Sequence, residues 1–331
     1  MRNSLLATAL LCGLFAGWAG ADPSVLPDGR PFVNATGTSS SNSTLGNVDL
    51  TQSFFQELGS NDRTCETCHL PSDGWSFAAT SAQKLFNDSE GFAALFQFDG
   101  QNVAGADLST LEKRRTASSL MITKGLVRFN LALPPGAEFQ IVASEGTYGN
   151  PVDTTHLVVF RRPLPSSNFG RLTTVLWDGR GNFIPGAPTP ELAVEAIFTG
   201  GTVLHAEGMP PPAEKSAQGA AFMLSLTSAQ IVDNIVGRLD VGGALGGAQN
   251  HSSSSTSTTL NGPPGFSIFA AWANSSAANR RQVARGQALF NTRAFPNGGT
   301  CAGCHSVSNQ GNNANNVLFN IGIADAARRT P

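Results

Sequence analysis

Two short stretches of the chain can do chemistry. Cys65-Glu66-Thr67-Cys68-His69 and Cys301-Ala302-Gly303-Cys304-His305 both read C-x-x-C-H. Two thiols at this spacing match the two vinyl groups of a haem, and the imidazole that follows meets the iron from one face. The pattern points to covalent attachment of two c-type haems, with His69 and His305 as iron ligands. The two copies use four of the five cysteines and two of the five histidines. A C-x-x-C pair could also be a zinc half-site or a thiol–disulfide exchange motif, and both pairs together could make one four-thiolate zinc site. Neither use calls for a histidine directly after the second cysteine in both copies.

The N-terminus fits this chemistry. Met1-Arg2-Asn3 is a short basic start, Ser4 to Trp18 is an apolar run, and Ala19-Gly20-Ala21 suits cleavage before Asp22. Residues 1–21 read as an export signal, and a periplasmic location follows because c-type haem is attached outside the energy-conserving membrane. Cys12 follows Leu11, not the small residue a lipid-attachment site needs. No later run is long and apolar enough to span a membrane. Net charge is −2 and charged residues are 13%, so no basic field argues for nucleic acid. A length of 331 residues with 40% hydrophobic content suits two cores.

The elements that must position the two motifs read as follows. Residues 22–48 form a flexible N-terminal arm, because Asn34 to Val48 is dominated by Asn, Ser, Thr and Gly. Asp49 to Leu58 reads as a short front helix with Phe54, Phe55 and Leu58 on one face. Thr80 to Phe98 and Leu108 to Thr123 read as helices. Lys113-Arg114-Arg115 on the second reads as a solvated face or a haem-propionate contact. From Gly125 to Arg162 the period changes to alternation, with strands at Leu126 to Leu133, Glu138 to Ala143 and Thr155 to Arg161. A helix begins near Pro190, capped by Thr189. Gly200 to Pro212 reads as a loop holding His205, Glu207 and Met209, and Ala213 to Leu226 as a helix. The Ser/Thr-rich stretch 249–264 marks the domain boundary. Ala277 to Phe290 is a second front helix, with Gly286 as a point of close helix approach. The expected fold is mainly α, with two cytochrome c-like haem domains at 49–248 and 265–331. The first carries a β-hairpin or small-sheet insertion at about 125–162.

With these pieces placed, the chain resembles the bacterial di-haem cytochrome c peroxidase family, which includes MauG-type enzymes. The resemblance is carried by the two C-x-x-C-H motifs, by Asn61-Asp62-Arg63-Thr64 before the first, and by Leu176-Trp177-Asp178-Gly179-Arg180 between them. It implies a peroxide-reacting N-terminal haem and a C-terminal haem that receives electrons. It implies that Trp177 is either the relay between the haems or a packing residue, and that Arg180 is structural or near a propionate. The family's acid–base position falls at about His205, with Glu207 as the near alternative. His205 would move a proton between peroxide oxygens or bind the first iron as sixth ligand. A calcium ion is known in the family, but the sequence names no ligands for it.

Two departures stand out. No histidine occurs between His69 and His156, where many members carry a distal one. No methionine follows His305, so the second iron would have an open position or borrow Met209 or Met223, unless the sequence is cut short at Pro331. The expected function is an exported di-haem oxidoreductase that reduces hydrogen peroxide with electrons from a small cytochrome c or cupredoxin. A homodimer is allowed. The rival readings are a di-haem electron-transfer cytochrome without substrate, and a MauG-like oxidase of a protein or organic substrate. For the oxidase, Tyr148 is the only tyrosine that could supply an oxygen ligand.

Overall fold

The computed structural model describes residues 24–133, 135–137, 140–141, 150, 154–172, 175–176, 190–253, 261–262, 265–296 and 299–305. Strands are β1 Val25–Leu26, β2 Phe32–Asn34, β3 Gly37–Ser43, β4 Val48–Asp49, β5 Val127–Ala132, β6 His156–Arg161, β7 Leu226–Asp233, β8 Gly237–Arg238, β9 Asn261–Gly262 and β10 Gly265–Phe266. Helices are α1 Ala79–Ser89, α2 Leu111–Ala117, α3 Ser119–Lys124, α4 Pro190–His205, α5 Ala213–Ser225, α6 Ala248–Ser253, α7 Ala278–Thr292 and the single turn α8 Cys301–Cys304. No described helix is long and apolar enough to cross a membrane.

The expected N-terminal arm is instead structural. β3 pairs antiparallel with β7 from Gly37–Asp233 to Ser43–Leu226, inside a sheet ordered β2-β3-β7-β8. Ser39, Ser40 and Ser41 are buried there. The β3–β7 ladder satisfies the backbone of this buried run, while the Ser40 hydroxyl is left without a hydrogen-bond partner among the described residues. Ser41 Oγ accepts the Trp75 indole N–H at 2.7 Å, and Ser43 and Ser225 hydroxyls lie 2.9 Å apart. At Gly37 a Cβ would fall 2.0 Å from the Val232 carbonyl, so only glycine permits this approach. Strand β7 has no counterpart in the sequence expectations.

Three apolar clusters organise the rest. The first joins Phe54, Trp75, Phe198, Phe222, Met223 and their neighbours under α4 and α5. The second gathers Phe77, Phe86, Leu95, Phe96 and Met121 around α1 and α3. The third packs Trp272 and Ala284 with Ala244, Val236 and Leu239. Val236, Leu239 and Ala244 precede the Ser/Thr-rich stretch 249–264 and pack in this cluster with residues of the segment that follows it. The Trp272 indole also donates to the Val241 carbonyl at 2.8 Å.

Other expectations are adjusted by tertiary contacts. The first front helix is only a 3-10 turn, Ser53–Phe55. Ser53 N–H donates to Gln218 Oε1 and Ser53 Oγ to the Lys215 carbonyl, so α5 takes the bonds that a longer helix would have kept. Helix α4 runs through Gly200 and Gly201 to His205, where a loop was expected. Each interior glycine costs about 1 kcal/mol. Burial of Phe198 and Thr202 on one side offsets it, and the Phe198 ring lies where a Cβ on Gly219 would sit. Strands β5 and β6 pair in register from Val127–Arg161 to Ala132–His156, which gives the hairpin part of the expected insertion. Most of the expected strand Glu138 to Ala143 lies outside the described residues. Gly286 faces open space, not a neighbouring helix. Arg114 is buried, not solvated. It donates to the carbonyls of Glu90 and Leu108 at 2.7 and 3.0 Å and stacks on Phe92 at 3.9 Å.

Candidate haem-attachment sites

Cys65–Thr67 form one 3-10 turn. Thr64 N–H donates to Thr67 Oγ1 at 3.1 Å, Cys68 N–H to the Cys65 carbonyl at 3.2 Å, and His69 N–H to the Glu66 carbonyl at 3.3 Å. The turn lies between two cores. Cys65 packs against the first cluster and Cys68 against the second. Burial pushes both thiols up to about 12, with Cys68 adding to the effect at Cys65. Neutral buried thiols are poor nucleophiles for disulfide exchange. Among the described residues, no group of three or more His, Cys, Asp or Glu is placed to hold a metal ion, so the four thiols do not converge on one four-thiolate site.

After His69 the chain folds straight back. Pro71–Asp73 make a second 3-10 turn, and Gly74 and Trp75 both take left-handed backbone, at φ 67° and 65°. For tryptophan this conformation costs on the order of 1–3 kcal/mol. It persists because the side chain is fully buried among Phe54, Phe55 and Phe222. The result is chemical. The Trp75 carbonyl lies 3.0 Å from His69 Nδ1. A carbonyl only accepts, so Nδ1 carries the proton and Nε2 keeps its lone pair. Metal-bound histidines are commonly fixed in this way by a backbone acceptor. Burial pushes the His69 imidazole down to about 4, the bond to the Trp75 carbonyl pushes back, the field of nearby His205 adds to the lowering, and the Leu164 carbonyl gives a smaller upward push. The ring is therefore neutral near pH 7, the form that ligates iron. These features fit the first C-x-x-C-H to a covalently held haem.

His205 ends α4 and is brought to the same region. Asn61 Nδ2 donates to the His205 carbonyl at 2.9 Å, and Arg63 Nη1 donates to it at 3.1 Å. Ser60 N–H donates to the Ala206 carbonyl at 3.0 Å and Ser60 Oγ to the Glu207 carbonyl at 2.9 Å. A Cβ on Gly59 would fall 1.8 Å from the Ala206 carbonyl, so this contact requires glycine. The His205 ring meets Phe129 edge to face, with centroids 4.8 Å apart. Its Nδ1 lies 2.6 Å from Asp99 Oδ2, and Asp99 Oδ1 accepts from Arg63 in a buried ion pair. Arg63 also donates to the carbonyls of Ala94, Leu95 and Gln97. Burial raises the Asp99 carboxyl, but His205 and Arg63 outweigh it and hold the group below its ordinary value. Glu207 is exposed, with φ 54°, so its backbone anchors the loop while its side chain faces solvent.

The sequence singles out His205 but not Asp99 or the Trp75 carbonyl. Asp99 is 106 residues from His205, and no spacing rule links them. Arg63 lies in the segment Asn61-Asp62-Arg63-Thr64, whose pattern gives it no role.

The second motif sits differently. Thr300 Oγ1 caps α8 by accepting the Gly303 N–H at 3.2 Å, and His305 N–H donates to the Cys301 carbonyl at 2.9 Å. The His305 ring lies 5.9 Å from Phe290 of α7. Cys304 and His305 are exposed. Met223 is buried in the first cluster, and Met209 is 81% exposed on the loop after α4. Trp177 and Arg180 lie outside the described residues, as do Tyr148 and the segment after His305. Searches of protein-family models, curated proteins and solved structures gave no match to the chain.

Proposed function

We propose that this chain is an exported di-haem c-type oxidoreductase that reduces hydrogen peroxide with electrons from a small redox protein. The observation that carries the reading is the bond between His69 Nδ1 and the Trp75 carbonyl. It presents Nε2 as a lone-pair donor directly after two cysteines at haem spacing. Cys65, Cys68 and His69 would hold the first haem; Cys301, Cys304 and His305 would hold the second. A haem held there would supply the redox chemistry for a reduction in which two electrons and two protons convert one peroxide to two waters.

The chain's own residues handle position and protons. The Trp75 carbonyl sets the His69 ring. His205 Nε2 takes the proton from one peroxide oxygen and returns it to the other, which leaves as water. Arg63 and Asn61 hold the end of α4 that carries His205. The exposure of Cys304 and His305 supports electron input from a donor protein at the second site. A second reading has its own support. A histidine bonded to a carboxylate is also a common arrangement for an iron ligand, which would make the chain an electron carrier with His205 as sixth ligand.

Optical spectra of the exported protein separate the two. A high-spin signal that changes on adding peroxide, with turnover of a reduced donor, supports the enzyme. Two low-spin haems unmoved by peroxide support the carrier.

A further inference from the structure

We infer that Asp99 is a positioning residue that fixes the proton of His205 on Nδ1 and so leaves Nε2 as its working nitrogen. This rests on the reading of the first site given above.

The argument is one of matched donors and acceptors. The two oxygens of Asp99 are divided between two partners. Oδ1 accepts from Arg63 Nη1, and Oδ2 lies 2.6 Å from His205 Nδ1. An ionised carboxylate has no proton to give, so Nδ1 must donate. Arg63 in turn cannot drift. Its guanidinium is buried and also donates to the carbonyls of Ala94, Leu95, Gln97 and His205. Arg63 therefore grips both ends of the pair, the carboxylate that orients the ring and the backbone that carries it. Phe129 closes one side of the ring. The other charged or titratable groups felt around the pair are Arg128, Cys68 and His69.

The division of oxygens makes one substitution informative. In Asp99→Asn the side-chain carbonyl must stay with Arg63, because an amide NH₂ cannot face a guanidinium. The NH₂ then faces His205 Nδ1, which is forced to accept, and the proton moves to Nε2. Asp99→Glu keeps an acceptor toward the ring. The shape at position 99 thus changes little in the first variant, while the tautomer inverts.

The test is ¹⁵N NMR of histidine-labelled full-length protein, reduced under carbon monoxide so that any haem iron is diamagnetic. His205 is identified by the signals missing in His205→Ala. In the wild type we expect the proton on Nδ1 and a bare Nε2. In Asp99→Asn the pattern inverts, and in Asp99→Glu it returns. Peroxide turnover in Asp99→Asn falls about 10- to 100-fold in kcat with KM little changed, while bound haem stays constant. Should Asp99→Asn fail to fold, the wild-type tautomer still decides. A proton on Nε2 in the wild type overturns the assignment. So does a haem-loaded Asp99→Asn with the proton still on Nδ1. A wild type without haem overturns the function proposed above, and the part of Asp99 in it.

Discussion

The carbonyl of Trp75 lies 3.0 Å from His69 Nδ1, and the indole of the same residue donates to Ser41 Oγ at 2.7 Å on the buried strand β3. One residue thus ties the N-terminal strand to the imidazole of the first C-x-x-C-H. The carbonyl is backbone, so the side chain can be changed without removing it. Trp75→Phe should keep haem attachment and lose the Ser41 bond, lowering unfolding free energy by about 1–3 kcal/mol. Urea denaturation of the holoprotein measures this. Loss of haem in Trp75→Phe would mean that the indole itself holds the loop that aims His69.

Arg63 and Asp99 form a buried ion pair, with side chains 3% and 15% exposed. Removing one partner leaves the other charge buried. Arg63→Ala should destabilise the protein by about 3–5 kcal/mol, well beyond a surface substitution. Arg238→Ala breaks the more exposed, solvent-screened pair with Asp240 and should shift the midpoint far less. Comparing the two denaturation midpoints checks the contrast.

The state of Asp99 gives a pH dependence with a definite sign. Its folded value lies below the ordinary carboxylate value because His205 and Arg63 outweigh burial. A lowered acid stabilises the fold fully above about pH 4 and loses that contribution as pH falls through the folded value. The stability gap between wild type and Asp99→Asn should therefore shrink as pH falls below about 4. A gap that widens below about pH 4 would reverse the sign.

Much of this arrangement was legible in the sequence, and the remainder has physical reasons for being hidden. The C-x-x-C-H pairs, helices α5 and α7 and strand β5 show themselves through local spacing. The Ser run of β3 reads as polar linker because hydropathy does not register a backbone that pairs with a strand about 190 residues away. The end of α4 reads as loop because two glycines interrupt it, while Phe198 and Thr202 hold it from the core side. Asp99 sits between Phe98 and Gly100 in a 3-10 turn and looks like turn chemistry. Its tie to His205 exists only once the chain has folded.

Two glycines make a paired test of close approach. Gly59 touches the Ala206 carbonyl, whereas Gly286 in α7 faces nothing within 4 Å of a built Cβ. Gly59→Ala should destabilise by about 1–3 kcal/mol and displace the loop that carries His205. Peroxide turnover should fall with it. Gly286→Ala should stabilise by about 0.5–1 kcal/mol, as expected for alanine replacing glycine inside a helix. Thermal melts of both variants beside the wild type decide it.

The central claim is covalent haem at both motifs, and intact-mass spectrometry of the exported full-length chain tests it most directly. The expected result is two haem masses on the wild type, one on Cys65→Ala/Cys68→Ala and one on Cys301→Ala/Cys304→Ala. A wild-type chain with free thiols, a disulfide or zinc in place of haem would contradict it.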